Sequence, residues 1–104
     1  MIMFVIADAE LDLTETLATH VQIQAKRLAN AVRTKFNRWG KYDGQGVVLR
    51  GKSLGLLPTT LRLFVFSAAG KTITVAEYCT DDEKLQRLPE FRVIEHSFRV
   101  LARR

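Results

Sequence analysis

The chain has 104 residues, of which 47% are hydrophobic and 26% charged, and this composition is typical of one compact domain and too short for two ordinary ones. The single cysteine, Cys79, excludes an internal disulfide, and no His or Cys set has the spacing of a zinc site. Sixteen Lys and Arg against eleven Asp and Glu give a net charge of +5, which makes an anionic partner worth testing.

That charge is distributed unevenly. Residues 1–25 carry a net charge of −4, residues 26–74 carry +9, and residues 75–104 carry none. The apolar run at residues 1–7 is too short for a membrane span and lacks the basic start of a signal peptide. We therefore predict one domain over residues 1–104 in the reducing cytoplasm, without a cofactor, a metal or a membrane anchor, and leave its oligomeric state open.

The first half of the chain predicts a strand followed by a long helix. The uninterrupted apolar run at residues 1–7 is typical of a strand that is covered on both faces or central in a sheet. A capping box at Asp12–Glu15 begins the helix. Its apolar stripe predicts about 24 helical residues that end near Trp39 and Gly40; the stripe consists of Leu17, Val21, Ala25, Leu28, Val32 and Phe36.

The second half predicts three strands and a shorter helix. A short strand covers Val47–Leu49, a flexible or bulged connection covers Gly51–Pro58, and Thr60–Phe66 and Lys71–Tyr78 form a hairpin. The helix is predicted from the helical spacing of Phe91, Ile94, Phe98 and Leu101, and Pro89 is expected in its first turn. The predicted class is α/β (α+β) in the order β-α-β-β-β-α, with both helices on one face of a four-stranded sheet.

If both helices pack on the same face, their basic residues share one exposed surface. The predicted RNA-binding residues on or just beyond the first helix are Lys26, Arg27, Arg33, Arg38 and Lys41. Those on the second helix, at spacings of four, three and four, are Arg92, His96, Arg99 and Arg103. Such a surface binds phosphates without base specificity. The alternative is that these bases only solubilise the two helices.

Other residues have candidate chemical roles. Trp39 and Tyr42 flank the basic end of the first helix, where they can stack on unpaired bases or cap the helix. His96 can act as an acid or base, although a lone His among arginines is more often a contact residue. The acids at residues 81–83 indicate a metal site or, more plainly, a helix start. Cys79 is expected to be a buried thiol.

The order of elements and several local patterns resemble the ribosome hibernation-promoting factor family, in its short form. The resembling segments are Ile6–Val21, Val47–Arg50, Thr74–Glu77 and Phe98–Arg104. The resemblance implies a fold related to double-stranded-RNA-binding domains. It also implies a protein that occupies the decoding region of the small ribosomal subunit and excludes mRNA and tRNA. The positions that match this role are Lys26, Arg33, Arg92, Arg99 and Arg103.

We therefore predict a non-enzymatic protein that binds ribosomal or other RNA and inhibits translation by occupancy. One alternative is a small basic ribonuclease of the toxin type that uses His96 or Tyr78. Another is a protein from a phage or mobile element that inhibits a host protein by binding it.

Overall fold

The structure is a computed structural model that describes residues 1–53 and 57–100, apart from the side chains of residues 29 and 30. The described part forms an antiparallel sheet of five strands in the order β1-β5-β4-β3-β2, together with two helices. The strands are β1 (Ile2–Ala7), β2 (Ala29–Trp39), β3 (Tyr42–Ser53), β4 (Leu57–Ala68) and β5 (Lys71–Thr80). The helices are α1 (Leu13–Ala25) and α2 (Lys84–Ser97), and a 3-10 turn, Asp81–Glu83, precedes α2.

The predicted fold, a four-stranded sheet with both helices on one face, is wrong. Val21 of α1 packs in a cluster with Leu63 and Ala76, whereas Ile94 of α2 packs against a cluster that contains Phe64 and Val75. Neighbouring residues of a strand point to opposite faces of the sheet. The two helices therefore cover opposite faces, and their outward surfaces do not form one common surface.

The missing strand is β2, which occupies the second half of the predicted first helix. Only Leu13–Ala25 is helical, and Asp12 caps it by accepting a hydrogen bond from the Glu15 N–H over 2.9 Å. Val32 and Phe36 are four residues apart, and this spacing satisfies a strand of period two as well as a helix. Leu28 precedes β2 and packs in the cluster beneath α1. The β-branched residues Val32 and Thr34 favour the strand. Gly40, with φ of 60°, turns the chain into β3.

β1 lies at an edge of the sheet and is not central. It pairs along one side with β5, and Met3, Val5 and Ile6 remain 41%, 43% and 59% exposed. The predicted hairpin near Ala68–Gly70 is confirmed, because β4 and β5 are joined by Ala69 and Gly70, both at positive φ. This is the backbone that a two-residue type I′ turn requires.

The C-terminal helix begins and ends earlier than predicted. α2 spans Lys84–Ser97 and contains Pro89, and Phe98 is extended with ψ of 133°. The chain then returns towards the sheet, where Phe98 stacks on Phe4 at 4.9 Å between ring centroids. Leu101 and Arg103 lie outside the described residues. Part of the predicted connection at residues 51–58 is strand, and residues 54–56 of it also lie outside the described ranges. No described helix is long and apolar enough to cross a membrane.

Candidate nucleic-acid interface

The basic excess of the chain lies on the hairpin of β2 and β3 and on the connection that leads into it from α1. We call this segment, residues 26–53, the cationic hairpin. It contains one acid, Asp43, and eight bases. All eight bases are exposed; they are Lys26, Arg27, Arg33, Lys35, Arg38, Lys41, Arg50 and Lys52.

The bases occur on both faces of the hairpin. Arg33 and Lys35 pair across to Leu49 and Val47, whose side chains belong to the core beneath α1. Directly opposed residues share a face, so these two bases stand beside α1. There they line an open groove of about 970 Å³ together with apolar residues of α1 and β3. Arg50 lines a smaller pocket on the α2 face with Phe91.

None of the eight bases forms an ion pair with any described residue. Outside the hairpin the pattern is reversed: five of the six described bases are paired with carboxylates, namely Arg62, Lys71, Lys84, Arg87 and Arg92. The sixth, Arg99, donates to the backbone carbonyls of His96 and Phe98. Most of the positive charge that no described carboxylate compensates therefore lies on the cationic hairpin.

The structure separates the predicted RNA-binding residues into two groups. Five lie in the cationic hairpin: Lys26, Arg27, Arg33, Arg38 and Lys41. Arg92 lies instead in an ion-pair cluster on the α2 face of the sheet. His96 is exposed in the last turn of α2, Arg99 follows that helix, and Arg103 lies outside the described residues. The straight basic line predicted along the second helix therefore does not extend to Arg99.

Arg92 is held by the buried carboxylate of Glu77, which is 3% exposed. That carboxylate accepts hydrogen bonds from Trp39 Nε1 over 2.9 Å, Arg62 Nη1 over 2.9 Å and Arg92 Nη2 over 2.7 Å. Glu95 accepts from Arg92 and from the backbone N–H of Gly40. We call these residues the Glu77 cluster. It joins β2, β4, β5 and α2, so its arginines stabilise the fold and are not free for a ligand.

The aromatic residues near the hairpin do not form an exposed stacking platform. Trp39 is 1% exposed, and its indole N–H is bound to Glu77. Tyr42 stacks on Phe66 at 4.4 Å, and Phe36 stacks on Phe64 at 5.4 Å. The predicted helix end is absent at Trp39 and Tyr42, and both residues pack in the core instead of stacking on bases or capping a helix.

The candidate catalytic residues do not converge. Tyr78 packs against the core beneath α1, whereas His96 lies on α2 across the sheet. The acids at residues 81–83 form the 3-10 turn that leads into α2. Glu83 forms a capping box with Thr80, and the hydrogen bonds from Thr80 lower the pKa of the Glu83 carboxyl. Cys79 is buried, and burial followed by the charge of Glu83 raises the pKa of its thiol.

Sequence reasoning missed Lys35, Arg50 and Lys52 of the hairpin and the whole Glu77 cluster. Alternation was the available signal for all three bases, because Arg33 and Lys35 are two residues apart, as are Arg50 and Lys52. Glu77 lies 15 residues from both Arg62 and Arg92, and such long-range pairing leaves no local pattern. No protein-family model and no curated protein matches the chain.

Proposed function

We propose that the protein binds RNA without cleaving it, through contacts between the phosphates and the cationic hairpin. The observation that carries this proposal is the separation of charge: the eight bases of the hairpin are exposed and form no ion pair with a described residue, whereas five of the six described bases outside it are paired with carboxylates. Releasing the counterions condensed on a nucleic acid is what drives binding to such a surface.

The chemistry of the hairpin favours recognition of the backbone over recognition of bases. Phosphate contacts position a protein but carry no sequence information. Specific reading of single strands depends on aromatic side chains that stack on unpaired bases, and Trp39, Tyr42 and Phe36 are occupied in the core. We therefore expect weak dependence on sequence and strong dependence on salt.

Occupancy, and not cleavage, is the mode of action that we propose. His96 and Tyr78 lie on opposite sides of the sheet, and neither side chain is hydrogen-bonded to a described acid or base. The RNA of the small ribosomal subunit is the natural RNA that the family resemblance suggests, and the cytoplasm is the compartment that this function requires. The resemblance relied mainly on a predicted order of elements that the fifth strand, β2, contradicts, so the ribosome is tested separately from RNA binding itself.

The first test measures the anisotropy of a labelled single-stranded RNA of about 20 nucleotides at several KCl concentrations. The variant Arg33→Glu/Lys35→Glu reverses two exposed charges beside α1. If each base contacts one phosphate, the slope of log K against log salt becomes shallower by about 1.4, since each contact contributes about 0.7 on single strands. At low salt we expect binding to weaken by at least about tenfold.

The matched control is Lys84→Glu/Arg87→Glu, which alters net charge by the same amount in exposed ion pairs on α2. It should change affinity by less than about threefold. Equal losses in the two variants would show that net charge alone drives binding, and no binding by the wild type at low salt would contradict the proposal. RNA cleavage that disappears in His96→Ala would support the ribonuclease alternative instead. Co-sedimentation with ribosomes then tests whether ribosomal RNA is a partner.

A further inference from the structure

The two edge strands of the sheet are built differently. β2 carries Arg33, Lys35 and Arg38, and its pairing with β3 is interrupted by two register shifts. Charged side chains and bulges are the features by which edge strands avoid pairing with other chains. β1 has neither: residues 1–7 contain no charged side chain and no proline, and its register with β5 is regular throughout.

The outward side of β1 offers unpaired backbone groups. The Met1 nitrogen donates to the Tyr78 carbonyl, and the Tyr78 N–H donates to the Met1 carbonyl, each over 2.8 Å. In an antiparallel ladder such doubly bonded pairs alternate with unbonded pairs. Met3 and Val5 consequently also bond towards β5, while the N–H and C=O groups of Ile2, Phe4 and Ile6 point away from it. Within the described ranges no strand pairs with that side.

The side chains along this edge are apolar on both faces. Met3 and Val5, on the face of α1, are 41% and 43% exposed, and Ile6, on the face of α2, is 59% exposed. A regular, uncharged strand with exposed apolar side chains and free backbone groups is a template for another strand.

We propose that β1 pairs with β1 of a second copy of the chain, antiparallel and around a two-fold axis at Phe4. In this register Phe4 meets Phe4 of the second copy and Ile2 meets Ile6, so every outward N–H and C=O of β1 gains a partner. Met3 lies opposite Val5 of the second copy on the face of α1. Apolar residues meet apolar residues on both faces, and no like charges are opposed.

The second copy fits this edge better with its own β1 than with its β2. Pairing β1 with β2 would have to accommodate both register shifts of β2, and in the parallel arrangement it would also place Met3 and Val5 along Arg33 and Lys35. Such head-to-tail pairing also leaves a free β1 edge at one end and a free β2 edge at the other, so further copies can add and the assembly does not close. Two-fold pairing closes at a dimer with a continuous sheet of ten strands and leaves both cationic hairpins at its outer edges, so dimerisation does not depend on RNA binding.

The test is sedimentation equilibrium of the full chain, without RNA, over concentrations of about 1–500 µM. A six-residue edge covers less than the standard interface of about 1,600 Å², so we expect a monomer–dimer equilibrium with a Kd on the order of 10 µM. A monomer at all concentrations would overturn the proposal. Growth to open-ended oligomers would also overturn it, because it indicates head-to-tail pairing.

Charge variants at the edge test the register. Met3→Lys/Val5→Lys and Met3→Glu/Val5→Glu each oppose like charges across the two-fold axis. Each variant alone should therefore dimerise at least about tenfold more weakly, and an equimolar mixture of the two should recover dimers. The control Val32→Lys adds a charge at the other edge, where Val32 is 66% exposed, and should leave the dimer unchanged. Dimers that persist in both charge variants, or that are lost in the control, would contradict the pairing of β1.

Hydrogen exchange of the wild type keeps the proposal testable if these variants do not fold. In the dimer the amides of Phe4 and Ile6 are bonded to the second copy, whereas those of Met3 and Val5 are bonded to β5 in monomer and dimer alike. We expect exchange at Phe4 and Ile6 to slow with protein concentration and exchange at Met3 and Val5 to change less. Equal concentration dependence at all four residues, or none, would refute the register.

Discussion

Replacing Glu77 by Gln tests whether the Glu77 cluster holds the sheet and α2 together. Glu77 is 3% exposed and accepts from Trp39, Arg62 and Arg92. Gln has almost the same shape, and its oxygen can still accept from the indole N–H. The substitution removes the negative charge with which both arginines pair. The change in the free energy of unfolding therefore measures the loss of the ion pairs more than a change in packing.

The expected loss of stability follows from the burial of the three partners. Removing one member of a buried ion pair costs about 3–5 kcal/mol, because it leaves the other charge uncompensated. The Arg62 and Arg92 side chains are 21% and 35% exposed, so water and Glu95 compensate part of their charge. We therefore expect Glu77→Gln to lower the free energy of unfolding by about 2–3 kcal/mol and the Tm by about 10–20 °C.

Urea unfolding followed by tryptophan fluorescence is the appropriate assay, because Trp39 is the sole tryptophan and lies in contact with Glu77. Glu90→Gln is the control, since it breaks an exposed pair with Arg87 and should change stability by less than about 0.5 kcal/mol. A loss below about 1 kcal/mol in Glu77→Gln would refute the reasoning, since the two arginines would then be adequately solvated without it.

Two further predictions concern turns and titration. Gly40→Ala should destabilise the protein more than Gly70→Ala by about 1–3 kcal/mol in urea unfolding, because both residues have positive φ but only the Cβ at residue 40 would overlap the Glu95 carbonyl oxygen; equal losses would contradict this. Burial lowers the pKa of His20, so the unfolded state binds more protons, and stability should fall as pH drops below about 6.5. His20→Gln should weaken that decrease between pH 7.5 and 5.5, and an unchanged pH profile would refute the role of His20.

The sequence predicted local features better than their assembly. The Asp12 cap and the turn at Ala69 and Gly70 were predictable because their signals lie within a few residues. The boundary between α1 and β2 was not, because the spacing of four between Val32 and Phe36 fits both periods. Placing both helices on one face was wrong because an apolar stripe predicts that a helix packs on the sheet but not which face it covers.

The candidate site was predictable in part for a related reason. Five of its bases were identified although most of the helix on which they were placed is strand, because charged side chains remain exposed in either structure. Arg92 was assigned to the same surface because its partner, Glu77, is distant in sequence and the pairing of their charges arises only when α2 packs on β5. A row of basic residues on a predicted helix thus shows where positive charge lies, but not whether a carboxylate distant in sequence pairs with it in the folded protein.

The cations of β2 also have a structural explanation, since charges on an edge strand prevent it from pairing with other chains. That explanation accounts for Arg33, Lys35 and Arg38, which lie on the edge strand itself. It does not account for Lys26 and Arg27 before β2 or for Arg50 and Lys52 on β3, which is paired on both sides. Protection of the edge therefore requires fewer bases than the hairpin carries, and the remainder are the stronger argument for an anionic partner.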